Sequence, residues 1–220
     1  MANYLITGTN RGIGLEYCKQ LQAKGETVIA VCRQPSEELK NLGVKIESGI
    51  DVTSDESVAE LAQRLAGSSI DVLINNAGII EANSLDNLDF VSLERQFQVN
   101  AIAPLRVTKA LLPLIPKGGK IILMTSRMGS IEDNTSGGFY GYRMSKTALS
   151  MAGKSLAEDL KPRNIAVGIL HPGMVKTRMT DFSGITTTES VQGLLKRIQE
   201  LNLDNSGTFW HGVKGEVLPW

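Results

Sequence analysis

The chain has 220 residues, 42% of them hydrophobic and 21% charged, enough to bury the core of one domain. Its 23 Lys and Arg balance its 23 Asp and Glu, which excludes the basic stripe of a nucleic-acid binder and an acidic disordered tail. Cys18 and Cys32 are too few and too far apart for a metal cluster or a disulfide framework, and they read as reduced thiols. No apolar run reaches the length of about eighteen residues that a membrane span needs.

In chain order, the first residues already read as a strand, leaving no place for a cationic and apolar leader. The expectation is a cytoplasmic protein with neither nucleic acid nor membrane as partner. Short apolar or β-branched runs follow at Tyr4–Thr7, Thr27–Cys32, Val44–Ser48, Asp71–Ile74, Lys120–Thr125, Asn164–Leu170 and near Thr208–Trp210, with helical patterns in most of the intervals. This alternation predicts one α/β domain over 1–220, a doubly wound parallel sheet flanked by helices. Lys120-Ile121-Ile122-Leu123-Met124 is apolar almost throughout, as a strand buried on both faces requires. Thr53-Ser54-Asp55-Glu56 predicts a capping box opening a helix to about Leu65, stopped near Gly67. A later helix is expected to start at Thr187, Thr188 or Ser190 and to run to about Leu203. The polar, glycine-containing stretch at 178–190 is a candidate substrate loop, in which Met179, Phe182 and Ile185, with Met174 before it, offer apolar contact or simply core packing.

Between the first strand and a helix running from about Leu15 lies Thr7-Gly8-Thr9-Asn10-Arg11-Gly12-Ile13-Gly14. Glycines there allow a tight turn, let a diphosphate approach the backbone, and aim a helix N-terminus at its charge. The second strand ends Val31-Cys32-Arg33, with Cys32 where an acidic residue would bind a free ribose 2′-hydroxyl. Arg33, with Arg11 in the glycine turn, instead suits a 2′-phosphate, so the cofactor expected is NADP(H). A merely solvated Arg33 is the alternative. Glu37 and Glu38 follow Pro35 and Ser36 and suit the first turn of a helix better than a ribose contact.

Tyr142 and Lys146, four residues apart, would stack on one helical face, where an ammonium can lower the phenol's proton affinity. Alone, the pair fits an exposed aromatic and a solvated Lys equally well. In context it does not stand alone. The glycine cluster, Asn75-Asn76-Ala77-Gly78, Asn100, Ser126-Arg127-Met128-Gly129, Tyr142-x-x-x-Lys146 and Pro172-Gly173 come in an order, across the whole chain, that resembles the short-chain dehydrogenases/reductases. The segment 130–138 and the ending 215–220 look most like the carbonyl-reductase-like group that includes sniffer and C-factor proteins.

The resemblance implies a Rossmann-like fold and NADPH-dependent reduction of a ketone, aldehyde or quinone carbonyl. Such a reduction needs a hydride on carbon and a proton on oxygen, and an ordinary Tyr, with a pKa near 10, exchanges protons poorly at neutral pH without a neighbouring positive charge. Tyr142 would be the proton donor, Lys146 would acidify it and bind the nicotinamide ribose, and Ser126 would orient the substrate oxygen. Ser130, nearer in sequence to Tyr142, is Ser126's rival. Asn100 would hold a water between backbone and Lys146, or is simply an Asn tolerated at a helix kink before Pro104. The cofactor set implied is Gly8, Asn10, Arg11, Gly12, Ile13, Gly14, Arg33, Asp51, Val52, Asn76, Ala77, Gly78, Tyr142, Lys146, Pro172, Gly173, Val175 and Thr177. In that set Asp51 is an adenine contact or an ordinary loop residue, and Thr177 stands at the carboxamide position. Asn75 is expected to tie strands together, His171 to be structural, and Tyr140 to be a pocket wall or packing residue. The resemblance also leaves open an oxoacyl-thioester reductase, a dinucleotide-binding signalling or redox-sensing protein, and a homodimer or homotetramer formed through the long helices.

Overall fold

A computed structural model describes residues 1–220. Strand β1 (Asn3–Thr7) pairs in parallel with β2 (Thr27–Val31) on one side and β4 (Val72–Asn75) on the other. With β3 (Lys45–Glu47), β5 (Lys120–Met124), β6 (Ala166–His171) and β7 (Phe209–His211) they form one seven-stranded sheet, order β3-β2-β1-β4-β5-β6-β7. Every pairing is parallel. The chain reverses its direction of growth at β1 and β4, so Thr7 and Asn75 flank the crevice where sheets of this kind bind ligands.

Side chains on a strand alternate faces, and both faces are covered. Tyr4, Ile6, Ile122 and Met124 join the core under α1 (Gly12–Ala23) and α7 (Thr187–Glu200). Leu5, Ile121 and Leu123 join the core under α3 (Asp55–Arg64), α5 (Ala103–Leu111) and α6 (Tyr140–Leu160). Each fully buried aliphatic side chain contributes about 1.5–3 kcal/mol relative to exposure. The uninterrupted apolarity of β5 is thus explained by two cores rather than one.

The helix expected after Thr53 is present, but Ser54 is its cap and Glu56 accepts from the Ser54 hydroxyl rather than closing a capping box with Thr53. Ser36 accepts from Leu39 N at 3.2 Å and opens the one-turn α2 (Glu37–Lys40), which fixes Glu37 and Glu38 as first-turn residues. Ser54 accepts from Ser57 N at 3.1 Å and opens α3. Helix α4 (Phe90–Phe97) continues through a π segment, Gln98–Ile102, into α5. Pro104 has no N–H to close onto Asn100 in the α register, and the wider turn results. The last helix ends at Glu200, short of Leu203, and Thr186 caps its start, so residues 187–190 of the candidate substrate loop form its first turn. What remains, 178–186, is pinned: Thr180 Oγ1 donates to the Val175 carbonyl at 2.5 Å, and Ile185 N donates to the Met174 carbonyl at 2.9 Å. No helix is long and apolar enough to cross a membrane.

Candidate active site

At the mouth of the β1–β4 crevice the glycine turn is folded against the loop after β4. Gly8 has φ +74°, and a Cβ there would lie 2.8 Å from Ala77 Cα. A Cβ on Gly14 would run into the Gly8 carbonyl oxygen and lie 2.7 Å from Asn76 Nδ2. Asn76 Nδ2 donates to the Thr7 carbonyl at 2.9 Å, and Thr7 Oγ1 accepts from Asn76 N and Ala77 N, each at 3.1 Å. Asn76 therefore does the strand-tying expected of Asn75, whose side chain points off the sheet and donates to Thr108 Oγ1 on α5 at 3.1 Å. Thr7 is a residue that sequence reasoning missed. Its position directly before the glycine cluster was the available signal.

Helix α1 has no side-chain cap, and no acidic residue stands in its first turn. Its free N–H groups and the positive end of its dipole face the turn formed by Asn10, Arg11 and Gly12, the donor set a diphosphate needs. Ile13 packs its side chain onto the core beneath. Arg11 and Arg33 are both exposed. The Asp51 carboxyl is held below its ordinary range first by hydrogen bonds from Thr53, then by the charges of Arg33 and Arg106. Its Oδ1 is committed to Thr53 N at 2.9 Å and Thr53 Oγ1 at 2.7 Å, which leaves Oδ2 for an outside donor. Val52 packs partly against the α3 core. Across the crevice, Gly173 has φ +85°, the Pro172 carbonyl accepts from Ser190 Oγ at 2.7 Å, and Val175 is buried. A Cβ on Gly12 would sit 3.4 Å from Thr177 Cγ2, so Thr177 lies over the start of α1.

The second cluster is built from buried side chains. Tyr142 and Lys146 lie one turn apart on α6, 7% and 4% exposed, with Nζ 5.7 Å from the ring centroid. Lys146 Nζ donates to the Met124 carbonyl at 2.8 Å, at the end of β5. Burial brings Lys146 down to about 8. Burial also pushes the Tyr142 phenol up, an effect that its neighbour Ser126 opposes. Loss of water is the largest influence on a phenol in so enclosed a place. Ser126 Oγ accepts from Met128 N at 3.1 Å where β5 gives way to a 3₁₀ turn. Ser130 is turned elsewhere, its Oγ donating to the Trp220 carbonyl at 3.2 Å. Ser130 is thus committed away from the phenol, and Ser126 is the hydroxyl that influences Tyr142.

Asn100, fully buried in the π segment, clamps the loop after Gly78: its Oδ1 accepts from Ile79 N at 2.8 Å and its Nδ2 donates to the Ile79 carbonyl at 2.9 Å. Nδ2 also donates to Ser145 Oγ at 3.0 Å, on the same turn as Lys146. A Cβ on Gly78 would fall 3.2 Å from Asn100 Oδ1 and 3.5 Å from Lys146 Nζ, so these groups meet at Gly78. Ser145 was within the motif read from the sequence but had no role there. Missed as well was Gln96, whose Oε1 accepts from Glu81 N at 3.1 Å and which packs on Gly141. His171 is paired edge-on with His211 at 4.9 Å and is pushed down to about 3 by burial and by the charges around it, in keeping with a structural role. Tyr140 begins α6, half-buried. No group of acidic, His or Cys side chains is arranged to hold a metal.

Comparison with known proteins adds the lineage. A model of the short chain dehydrogenase family matches residues 2–187. The chain belongs to this family. As a short-chain dehydrogenase it is 40% identical over 227 residues to a Rhodococcus protein named 1-hydroxy-2-glutathionyl-2-methyl-3-butene dehydrogenase, covering the whole of both chains. It is 44% identical over 158 residues to the C-signal protein of Myxococcus xanthus, covering 69% of this chain and 93% of that one. Among solved structures it superimposes on the carbonyl reductase Sniffer of D. melanogaster with a TM-score of 0.92 and 32% identity, covering 100% of each. An NADPH-bound carbonyl reductase from chicken fatty liver gives a TM-score of 0.91 and 33% identity, covering 100% of this chain and 99% of that one.

Proposed function

We propose that this short-chain dehydrogenase is an NADPH-dependent reductase of ketones, aldehydes or quinones, with Tyr142 as proton donor. The convergence of Ser126, Tyr142 and Lys146 beside a glycine turn shaped for a diphosphate carries the reading. The turn fits NADPH because a side chain at Gly8 or Gly14 would occupy the space in which it closes, and because the α1 N–H donors are uncapped. Residues Gly8 and Asn10 to Gly14 would hold the diphosphate, Arg11 and Arg33 the 2′-phosphate, Asp51 and Val52 the adenine, and Asn76 to Gly78, Lys146 and Pro172 to Thr177 the nicotinamide half.

The chemistry supplied by a bound NADPH is a hydride for the carbonyl carbon. Ser126 Oγ orients the carbonyl oxygen and shares its developing charge, while the Tyr142 hydroxyl delivers the proton to that oxygen. Lys146, protonated near neutral pH, anchors the ribose and faces the phenol, so that charge formed on the phenol oxygen is met by an ammonium. Asn100 keeps Gly78 and α6 in register. Desolvation that raises Tyr142 favours its protonated form, which is the form a reductase requires.

The test is NADPH and NADH oxidation across aldehydes, diketones, quinones and steroid ketones. Because the Rhodococcus relative carries the name of a glutathionyl alcohol dehydrogenase, the panel includes alcohol oxidation and glutathionyl substrates. Turnover with NADPH at least about tenfold better than with NADH is expected from the two guanidiniums; equal use of both cofactors contradicts the clamp. The similarity to C-signal favours a second reading, a dinucleotide-binding signalling protein. Tight NADPH binding with no turnover across the panel would move that reading ahead.

A further inference from the structure

The loop that follows Ser126 is held from two sides. On one, α6 grips it: Thr147 Oγ1 donates to the Gly129 carbonyl at 2.7 Å, Arg143 donates to the Met128 carbonyl at 3.3 Å, and a Cβ on Gly129 would lie 2.8 Å from Lys146 carbonyl carbon. On the other side stands a segment far away in sequence. The Trp220 carbonyl accepts from Ser130 Oγ at 3.2 Å and from Glu132 N at 2.9 Å. Ser130 Oγ in turn accepts from Asp133 N at 3.1 Å, and Asp133 pairs with Arg127 at 2.6 Å. Ser126 itself is joined to this system, since its carbonyl accepts from Gly129 N at 2.8 Å.

The grip depends on how residues 215–220 are anchored. Leu218 is buried with Ile169 and Phe209 in a small core of its own. Leu218 N donates to the Phe209 carbonyl at 2.8 Å, and Val217 bridges Trp210 in antiparallel fashion. The Trp220 ring stacks on Phe209 with centroids 5.6 Å apart and 29° between planes. Trp220 is thus held at both ends, its ring by Phe209 and its main-chain oxygen by Ser130 and Glu132.

We propose that Trp220 is a positioning residue for the proposed reduction: stacked on Phe209, it sets the 126–133 loop and with it the Ser126 hydroxyl against Tyr142. The inference rests on the reductase reading. Substrate is oriented by Ser126, so loosening the strap acts on the chemical step and leaves NADPH binding at the glycine turn and Arg33 alone.

The experiment compares Trp220→Ala, Trp220→Phe and Ser130→Ala in the full chain. Trp220→Ala is expected to lower kcat about tenfold with the KM for NADPH unchanged. Trp220→Phe keeps a stacking ring and is expected to recover kcat to within about twofold, while Ser130→Ala falls between the two. Hydrogen exchange is the readout independent of turnover: the Glu132 amide should exchange about tenfold faster in Trp220→Ala but not in Trp220→Phe, with β1 amides unaltered. A wild-type kcat in Trp220→Ala, equal losses in the Ala and Phe variants, or unchanged Glu132 exchange would each overturn the proposal. A wild-type protein that reduces no carbonyl overturns the function instead, and the exchange measurement still decides the strap.

Discussion

Around β1 and β4 the site is made of backbone: glycines that a Cβ would jam, uncapped helical N–H groups, and two Arg side chains left exposed at the rim. Around β5 and α6 it is made of side chains taken out of water, with Tyr142, Lys146, Ser126 and Asn100 all less than a tenth exposed. The contrast follows from what each half would do in the proposed reduction. A diphosphate brings its own charge and needs donors and room, whereas proton transfer needs groups whose proton affinities are set by burial and by fixed neighbours. The two halves touch at Gly78, against both Asn100 and Lys146.

The sharpest way to break the comparison is at the phenol. Tyr142→Phe is expected to reduce carbonyl turnover about 10³-fold while NADPH affinity stays within a few-fold, measured by steady-state kinetics and cofactor fluorescence; comparable losses in both would merge the halves. Next in size is the joint between them. Asn100→Ala strips the Ile79 N–H and carbonyl of their partners and should cost about 1–3 kcal/mol in denaturant unfolding, a penalty absent if Asn100 only tolerates a kink.

Smaller effects are expected at the rim and in proton binding. Arg33→Asp should weaken NADPH about tenfold and improve NADH, leaving thermal stability unchanged, because the side chain is exposed. Lys146 has an ordinary value of 10.5 and is held down to about 8 by burial, so across that window the unfolded chain binds the extra proton. Below about 8 the full cost of the buried ammonium is present, and stability of the cofactor-free protein should rise as pH climbs from there towards 10.5. Lys146→Met should unfold without that rise; an identical pH dependence in both proteins would mean the ammonium is solvated.

What could be read from the sequence follows the same division. The glycine turn and β5 were legible because backbone conformation and two-sided burial restrict residue type locally. So were Tyr142 and Lys146, which share a helical face. Contacts between distant segments left little local trace. Nothing near Ser130 signals Trp220, ninety positions on. Asn75 and Asn76 are adjacent and chemically identical, and only the direction of each side chain from the strand end tells which ties β1 and which reaches α5. The start of α6 was equally silent, since it is opened by Phe139 in the left-handed region, with no capping side chain.

The most direct test of the division is single-turnover hydride transfer at saturating NADPH in Tyr142→Phe and Arg33→Asp, run beside NADPH binding titrations of the same proteins. Tyr142→Phe should bind normally and fail to turn over, while Arg33→Asp should bind weakly and, once saturated, turn over at the wild-type rate. Sustained turnover by Tyr142→Phe, or a slow step in saturated Arg33→Asp, would contradict the account.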